Sequence, residues 1–143
     1  MPEMPIDELT EIVIACAMEV HSQLGPGLLE SIYRDCLRIE ILSRERSVQT
    51  EKLVPVFYKG KRIRNDLRID LLVDGRLIVE IKAVDRLHPV YQAQVITYLK
   101  LTGCPAGLLF NFNATSIRAG MKRLDHPDLY AKKQMTRLMG KKN

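Results

Sequence analysis

Two apolar runs joined by a short turn constrain this chain most. They are Leu67-Arg68-Ile69-Asp70-Leu71-Leu72-Val73 and Leu77-Ile78-Val79-Glu80-Ile81-Lys82-Ala83, with Asp74-Gly75-Arg76 between them. The second run is rich in Val, Ile and Leu at both parities, which predicts a central strand covered on both faces. Side chains alternate along a strand, so Glu80 and Lys82 share one face. Burying a carboxylate or an ammonium costs several kcal/mol unless it is paired or binds a metal. Asp70 joins that face only if the loop has three residues, because a two-residue loop would place it on the opposite side of the hairpin. Gly75 supplies the left-handed position that such a loop needs. Asp70, Glu80 and Lys82 are therefore expected to converge. Adjacent carboxylates repel, and a hard cation such as Mg²⁺, with oxygen ligands at about 2.0–2.1 Å, relieves the repulsion. Lys82 would then steady a water or an anionic transition state. The same residues also fit a buried Lys–Glu salt bridge with Asp70 at a strand end.

A chain of 143 residues suffices for one domain with a single core. No apolar stretch reaches the roughly 18–20 residues of a membrane span, and the N-terminus, with Glu3, Asp7 and Glu8, lacks the charge pattern of a signal peptide. No membrane association and a cytoplasmic location are expected. Cys16, Cys36 and Cys104 have no paired spacing, so neither a disulfide framework nor a zinc site is indicated. The net charge of +5 is uneven: residues from Arg118 onward carry eight Lys/Arg against two Asp. A basic tail from about 118 on a near-neutral body suits contact with nucleic acid, and equally describes a solvated C-terminal helix.

Helical spacing of Leu9, Ile12, Val13, Cys16, Val20 and Leu24 predicts a helix over about 7–24 with Asp7 as its cap. Gly25-Pro26-Gly27 breaks it. A second helix is expected over about 28–42, with Leu29, Ile32, Tyr33, Cys36 and Leu37 facing inward. Strands are expected at about 49–58, 66–73, 77–83 and 107–112, with Lys59-Gly60 turning. A helix over about 89–102 starts at Pro89 and ends at Gly103, and the tail over about 127–139 is a further helical candidate. Helices, an antiparallel meander, then a helix crossing to another strand describe an α/β sandwich around a mixed sheet.

This order of an acidic helix, Asp70, a Glu80-x-Lys82 strand and a following helix resembles the core of the PD-(D/E)XK nuclease superfamily. Within it the chain closely resembles the prokaryotic family named for its GxxExxY motif, here Gly27-Leu28-Leu29-Glu30-Ser31-Ile32-Tyr33, preceded by His21 and Leu24-Gly25-Pro26. The likeness continues through Arg68–Val73, Val79–Ala83, Gln94–Lys100 and Gly107–Phe112. It implies a restriction-endonuclease-like core, a central mixed β-sheet flanked by α-helices, in one nuclease-like domain over 1–143.

The resemblance also implies roles. Asp70 and Glu80 would ligate Mg²⁺ or Mn²⁺ together with the Ile81 carbonyl, Glu30 would add a carboxylate, and Lys82 would position or activate water. Gln94 and Tyr98 match a Q-x-x-x-Y element of the exonuclease branch and, four apart, share one helical face. The implied activity is metal-dependent phosphodiester hydrolysis in nucleic acid, DNA being favoured. Small relatives that cut branched DNA are typically dimers, which by analogy implies a homodimer.

Other readings of single residues remain open. Glu30 suits the first turn of a helix through the macrodipole alone. Tyr33 fits a core aromatic whose hydroxyl reaches a partner, Gln94 a solvated position and Tyr98 a packed one. His21 fits capping or packing, and His88 and His126 belong to no ligand cluster. Arg64 and Arg68 are candidates for phosphate contact, or Arg68 for pairing with Asp66 or Glu80. At the level of the whole chain, a binding or assembly module that keeps the fold but turns over little, and a structural protein with an ion-pair network, are the competing classes.

Overall fold

The run around Glu80 forms the middle strand of a five-stranded sheet. In the computed structural model, which describes residues 3–140 and only the helical backbone of 130–134, the elements are α1 (Ile6–Leu24), α2 (Glu30–Ser43), β1 (Val48–Tyr58), β2 (Lys61–Val73), β3 (Leu77–Lys82), α3 (Pro89–Thr102), β4 (Ala106–Asn111), β5 (Met121–Asp125) and α4 (Pro127–Gly140). Spatial order follows chain order, β1-β2-β3-β4-β5. Only the β3–β4 pair is parallel, because α3 crosses over between them; the other neighbours are antiparallel.

Both faces of β3 are covered, as its apolar residues at both parities require. Leu77, Val79 and Ile81 pack with Leu71, Val73, Leu108 and Phe110 against Leu9, Val13 and Ala17 of α1 and Tyr33, Leu37 and Ile41 of α2. On the other face Ile78 and Leu72 meet Tyr98 and Leu99 of α3. Helix α3 approaches closely because Gly107 lacks a side chain: a Cβ there would lie 2.7 Å from Val95 Cγ1. The helix ends at Gly103, whose left-handed φ of 76° lets its N–H reach Leu99 O.

Several sequence expectations are corrected. Pro5, not Asp7, occupies the N-cap of α1; Asp7 lies in the first turn and pairs with Arg123 at 2.7 Å. Helix α2 begins at Glu30 rather than Leu28, which leaves Leu29 71% exposed; Ile32 and Leu24 are also exposed. Strand β2 starts five residues earlier than expected, at Lys61, because β1 supplies it with a backbone partner along that length. Strand β5 is an addition to the expected elements: Met-Lys-Arg-Leu-Asp has little apolar signal, and pairing with β4 decides its conformation. The basic stretch after Arg118 thus begins within the folded body, where Arg118 pairs with Glu11 and Arg123 with Asp7 and Asp125. Lys141 and Lys142 lie outside the described residues. Among the described residues, no helix is long and apolar enough to cross a membrane.

Candidate active site

The turn after β2 sets the site's register. Leu71↔Val79, Leu72↔Ile78 and Val73↔Leu77 pair across a three-residue loop, so Asp70 stands opposite Glu80. Asp74 and Gly75 both adopt left-handed φ, 52° and 68°, and Arg76 N–H donates to Val73 O. Asp74 tolerates this conformation while its carboxylate accepts from Ser47 N–H, Ser47 Oγ and Arg46.

Beyond Leu71↔Val79 the strands part, and the two carboxylates take over the hydrogen bonds. Asp70 N–H donates to Glu80 Oε1 at 3.1 Å, and Ile81 N–H donates to Asp70 Oδ2 at 2.8 Å. Strict alternation also fails here. Ile69 packs in the cluster beneath α3, whereas Leu71 and Val73 pack beneath α1 and α2. On the neighbouring strand the residue skipped by the ladder is Glu51, with φ 50°. Glu51 is held by Arg34 at 3.0 Å and Arg68 at 3.7 Å. Arg68 therefore pairs with neither Asp66 nor Glu80; Arg64 takes Asp66.

Asp70 opens into a cleft of about 510 Å³ whose lining includes Leu28, Glu30, Arg34, Ile81 and Ala83. Glu80 lies behind it, 5% exposed. Burial pushes the Glu80 carboxyl up to about 8, reinforced by the charge of Asp70 and opposed by Lys82. Tyr98 is buried against the same pair, and burial with the charges of Glu80 and Asp70 pushes its hydroxyl up to about 12. Gln94, one turn away, is exposed. The Lys82 ammonium lies 4.7 Å from the centre of the Tyr91 ring, a cation–π contact that holds it beside the carboxylates without an ion pair to either. Glu30 reaches the end of β3 from α2, where its Oε1 accepts from Ala83 N–H at 3.4 Å.

The segment leading to Glu30 is tied down by Tyr33. Its hydroxyl donates to Gly25 O at 2.6 Å and accepts from Leu28 N–H at 3.1 Å, while the fully buried ring stacks on Phe112 at 4.5 Å. Gly27, with φ 100°, donates its N–H to Asn113 Oδ1. Buried Asn111 fixes the exit of β3: its side chain donates to Val84 O and accepts from the N–H groups of Val84 and Asn113. His21 packs, with its ring Nε2 2.9 Å from Ala114 O. Sequence reasoning missed Tyr91 and the role of Asn111. A lone Asn in the apolar run Gly107–Phe112 was the available signal for the latter; Tyr91 carried none.

Asp70 and Glu80 offer only oxygen donors, around a buried carboxyl whose charge is otherwise poorly compensated, which is the chemistry a hard divalent cation fits. Among the described residues no three His, Cys, Asp or Glu side chains are gathered into one group, so Glu30 lines the cleft without joining the pair.

The family model of the PD-(D/E)XK nuclease superfamily matches residues 7–124. The chain belongs to this superfamily. No curated protein and no solved structure matches it. The match runs from α1 to the penultimate residue of β5 and so takes in the five-stranded mixed sheet and the helices α1 to α3 that flank it. Membership in a nuclease superfamily points to nuclease-type chemistry on nucleic acid, and PD-(D/E)XK nucleases typically use divalent metals.

Proposed function

We propose that this PD-(D/E)XK protein hydrolyses phosphodiester bonds in nucleic acid, DNA being favoured, with Mg²⁺ or Mn²⁺ held by Asp70, Glu80 and the Ile81 carbonyl and with Glu30 as an outer carboxylate. The reading rests above all on the opposed Asp70 and Glu80 carboxylates where β2 and β3 separate, Asp70 opening toward a cleft and Glu80 buried behind it. The cation, when bound, neutralises phosphate charge and lowers the pKa of water. Lys82 stabilises the negative charge that grows on the phosphate as the water oxygen bonds to phosphorus and the ester P–O bond breaks. Tyr91 holds the Lys82 ammonium beside the site. Tyr98, buried beside the carboxylate pair, offers its hydroxyl as a donor to a phosphate oxygen. Gln94, exposed on the same helix, is positioned to touch the nucleic acid backbone. A narrower assignment to the GxxExxY family is supported by the way the motif's ends are held: Tyr33 bonds Gly25 O and Leu28 N–H and Gly27 N–H bonds Asn113, which together fix the segment that presents Glu30 to the cleft.

The test is cleavage of labelled single-stranded, duplex and branched DNA and RNA with Mg²⁺ or Mn²⁺ against EDTA, for wild type, Asp70→Ala and Lys82→Ala. Metal-dependent cutting by wild type alone is expected. Binding by all three proteins without cutting would instead assign the fold to a non-hydrolytic binding module.

A further inference from the structure

Strand β2 pairs with β3 only over Leu71–Val73, yet it pairs with β1 back to Lys61. The outer parts of β1 and β2 therefore form a two-stranded ribbon that leaves the sheet next to Asp70, and every residue from Phe57 to Asp66 is exposed. Residues 52–68 carry six Lys/Arg against Asp66 alone, a net of +5 equal to that of the whole chain. Aromatic and basic side chains face each other across the ribbon: Phe57 opposes Arg62 and Tyr58 opposes Lys61. Phe57 and Tyr58 are 55% and 64% exposed. Among the described residues, Lys52, Lys59, Lys61 and Arg62 have no carboxylate partner.

We infer that this ribbon is a nucleic-acid-binding arm that holds an unpaired strand flanking the phosphodiester cut at Asp70 and Glu80. The inference rests on the nuclease reading of that site. The cations match a polyanion. A Phe ring has no group to bond base edges, so its strong contact with nucleic acid is stacking on a base face, which is accessible in an unpaired strand and hidden in a duplex. From Ile69 to Lys61 the ribbon reaches about 25 Å from the site, the span of several nucleotides. A second copy of the chain is a poorer occupant: two surfaces of net +5 repel, and β1, an edge strand of the ribbon, carries Pro55, which offers no N–H to a further strand.

The experiment measures binding of a labelled single-stranded oligonucleotide and the matching blunt duplex in EDTA, for wild type and for the double variant Phe57→Ser/Tyr58→Ser, with folding checked by thermal melting. Wild type should prefer the single strand. The double variant should lose roughly 100-fold of that affinity, at roughly 10-fold per ring, while duplex affinity changes little. A second variant, Lys61→Ala/Arg62→Ala, should lower the dependence of log K on log salt by about 1.4 if each cation meets one phosphate. Unchanged single-strand affinity in both variants overturns the inference. So does a wild type that prefers duplex and loses that preference in the variants, or an altered oligomeric state with unaltered oligonucleotide affinity. Cleavage by wild type in Mg²⁺ is measured in parallel. Cutting with variant-insensitive binding refutes the arm and spares the site; variant-sensitive single-strand binding without cutting supports the arm and refutes the nuclease reading.

Discussion

Replacing Glu80 by Gln separates the charge of this buried carboxyl from its shape. Gln keeps an oxygen to accept the Asp70 N–H and occupies nearly the same volume, so packing is preserved. In the metal-free protein Glu80 titrates at about 8 instead of its ordinary 4.5, because burial and the neighbouring Asp70 both disfavour the ionised form. The folded state therefore keeps a proton that the unfolded chain releases. The stability this group contributes is complete below the unfolded value and is lost as pH rises through the folded one, with a slope of up to about 1.4 kcal/mol per pH unit. At neutral pH the loss is on the order of 3 kcal/mol, a large part of the stability of a domain of this size. The assay is guanidinium denaturation in EDTA at several values from about pH 5 to about pH 8, comparing the slope of stability against pH in the two proteins. The difference between Glu80→Gln and wild type should grow in the variant's favour as pH rises. Parallel stability curves would refute the assigned burial and its electrostatic consequence. Millimolar Mg²⁺ should stabilise wild type at high pH more than Glu80→Gln, since the variant keeps Asp70 but lacks the second of the two anionic ligands.

Lys82→Met should fold and still bind metal but lose roughly 10²–10³-fold in cleavage rate, because the ammonium acts on developing phosphate charge; full activity in a stable variant would remove Lys82 from the mechanism. Tyr33→Phe keeps the stack on Phe112 but leaves Leu28 N–H and Gly25 O without their partner, and should cost about 1–3 kcal/mol in denaturant titration; a neutral result would show that the hydroxyl does not hold the segment before Glu30. Gly107→Ala should destabilise by about 1–3 kcal/mol, as its Cβ meets Val95 Cγ1, and adding Val95→Ala should recover part of that loss; additive losses would contradict the close approach of α3 to β4.

Much of the architecture was legible because it depends on local rules. Helix α3, with Pro89 at its start and Gly103 beyond its end, follows from capping chemistry, and the position of Asp70 opposite Glu80 follows from the three-residue turn that sets the hairpin register. Legibility failed where an element's state depends on a partner far along the chain. Strand β5 and the outer half of β2 are too polar to announce themselves, and each is a strand because a neighbour supplies its hydrogen bonds. Leu29 has the right spacing for an inward position yet is exposed, because its helix starts only at Glu30, after a glycine-rich segment pinned by Tyr33.

The candidate site divides in the same way. The sequence by itself determined which groups share the hairpin, since turn length and strand alternation are properties of adjacent residues. Only the tertiary structure decided their environments: the parting of β2 from β3 that turns two carboxylates into backbone acceptors, the ring of Tyr91 beneath Lys82, and the basic ribbon beyond the sheet. Burial and electrostatic fields are sums over neighbours brought together by folding, and no local pattern contains them.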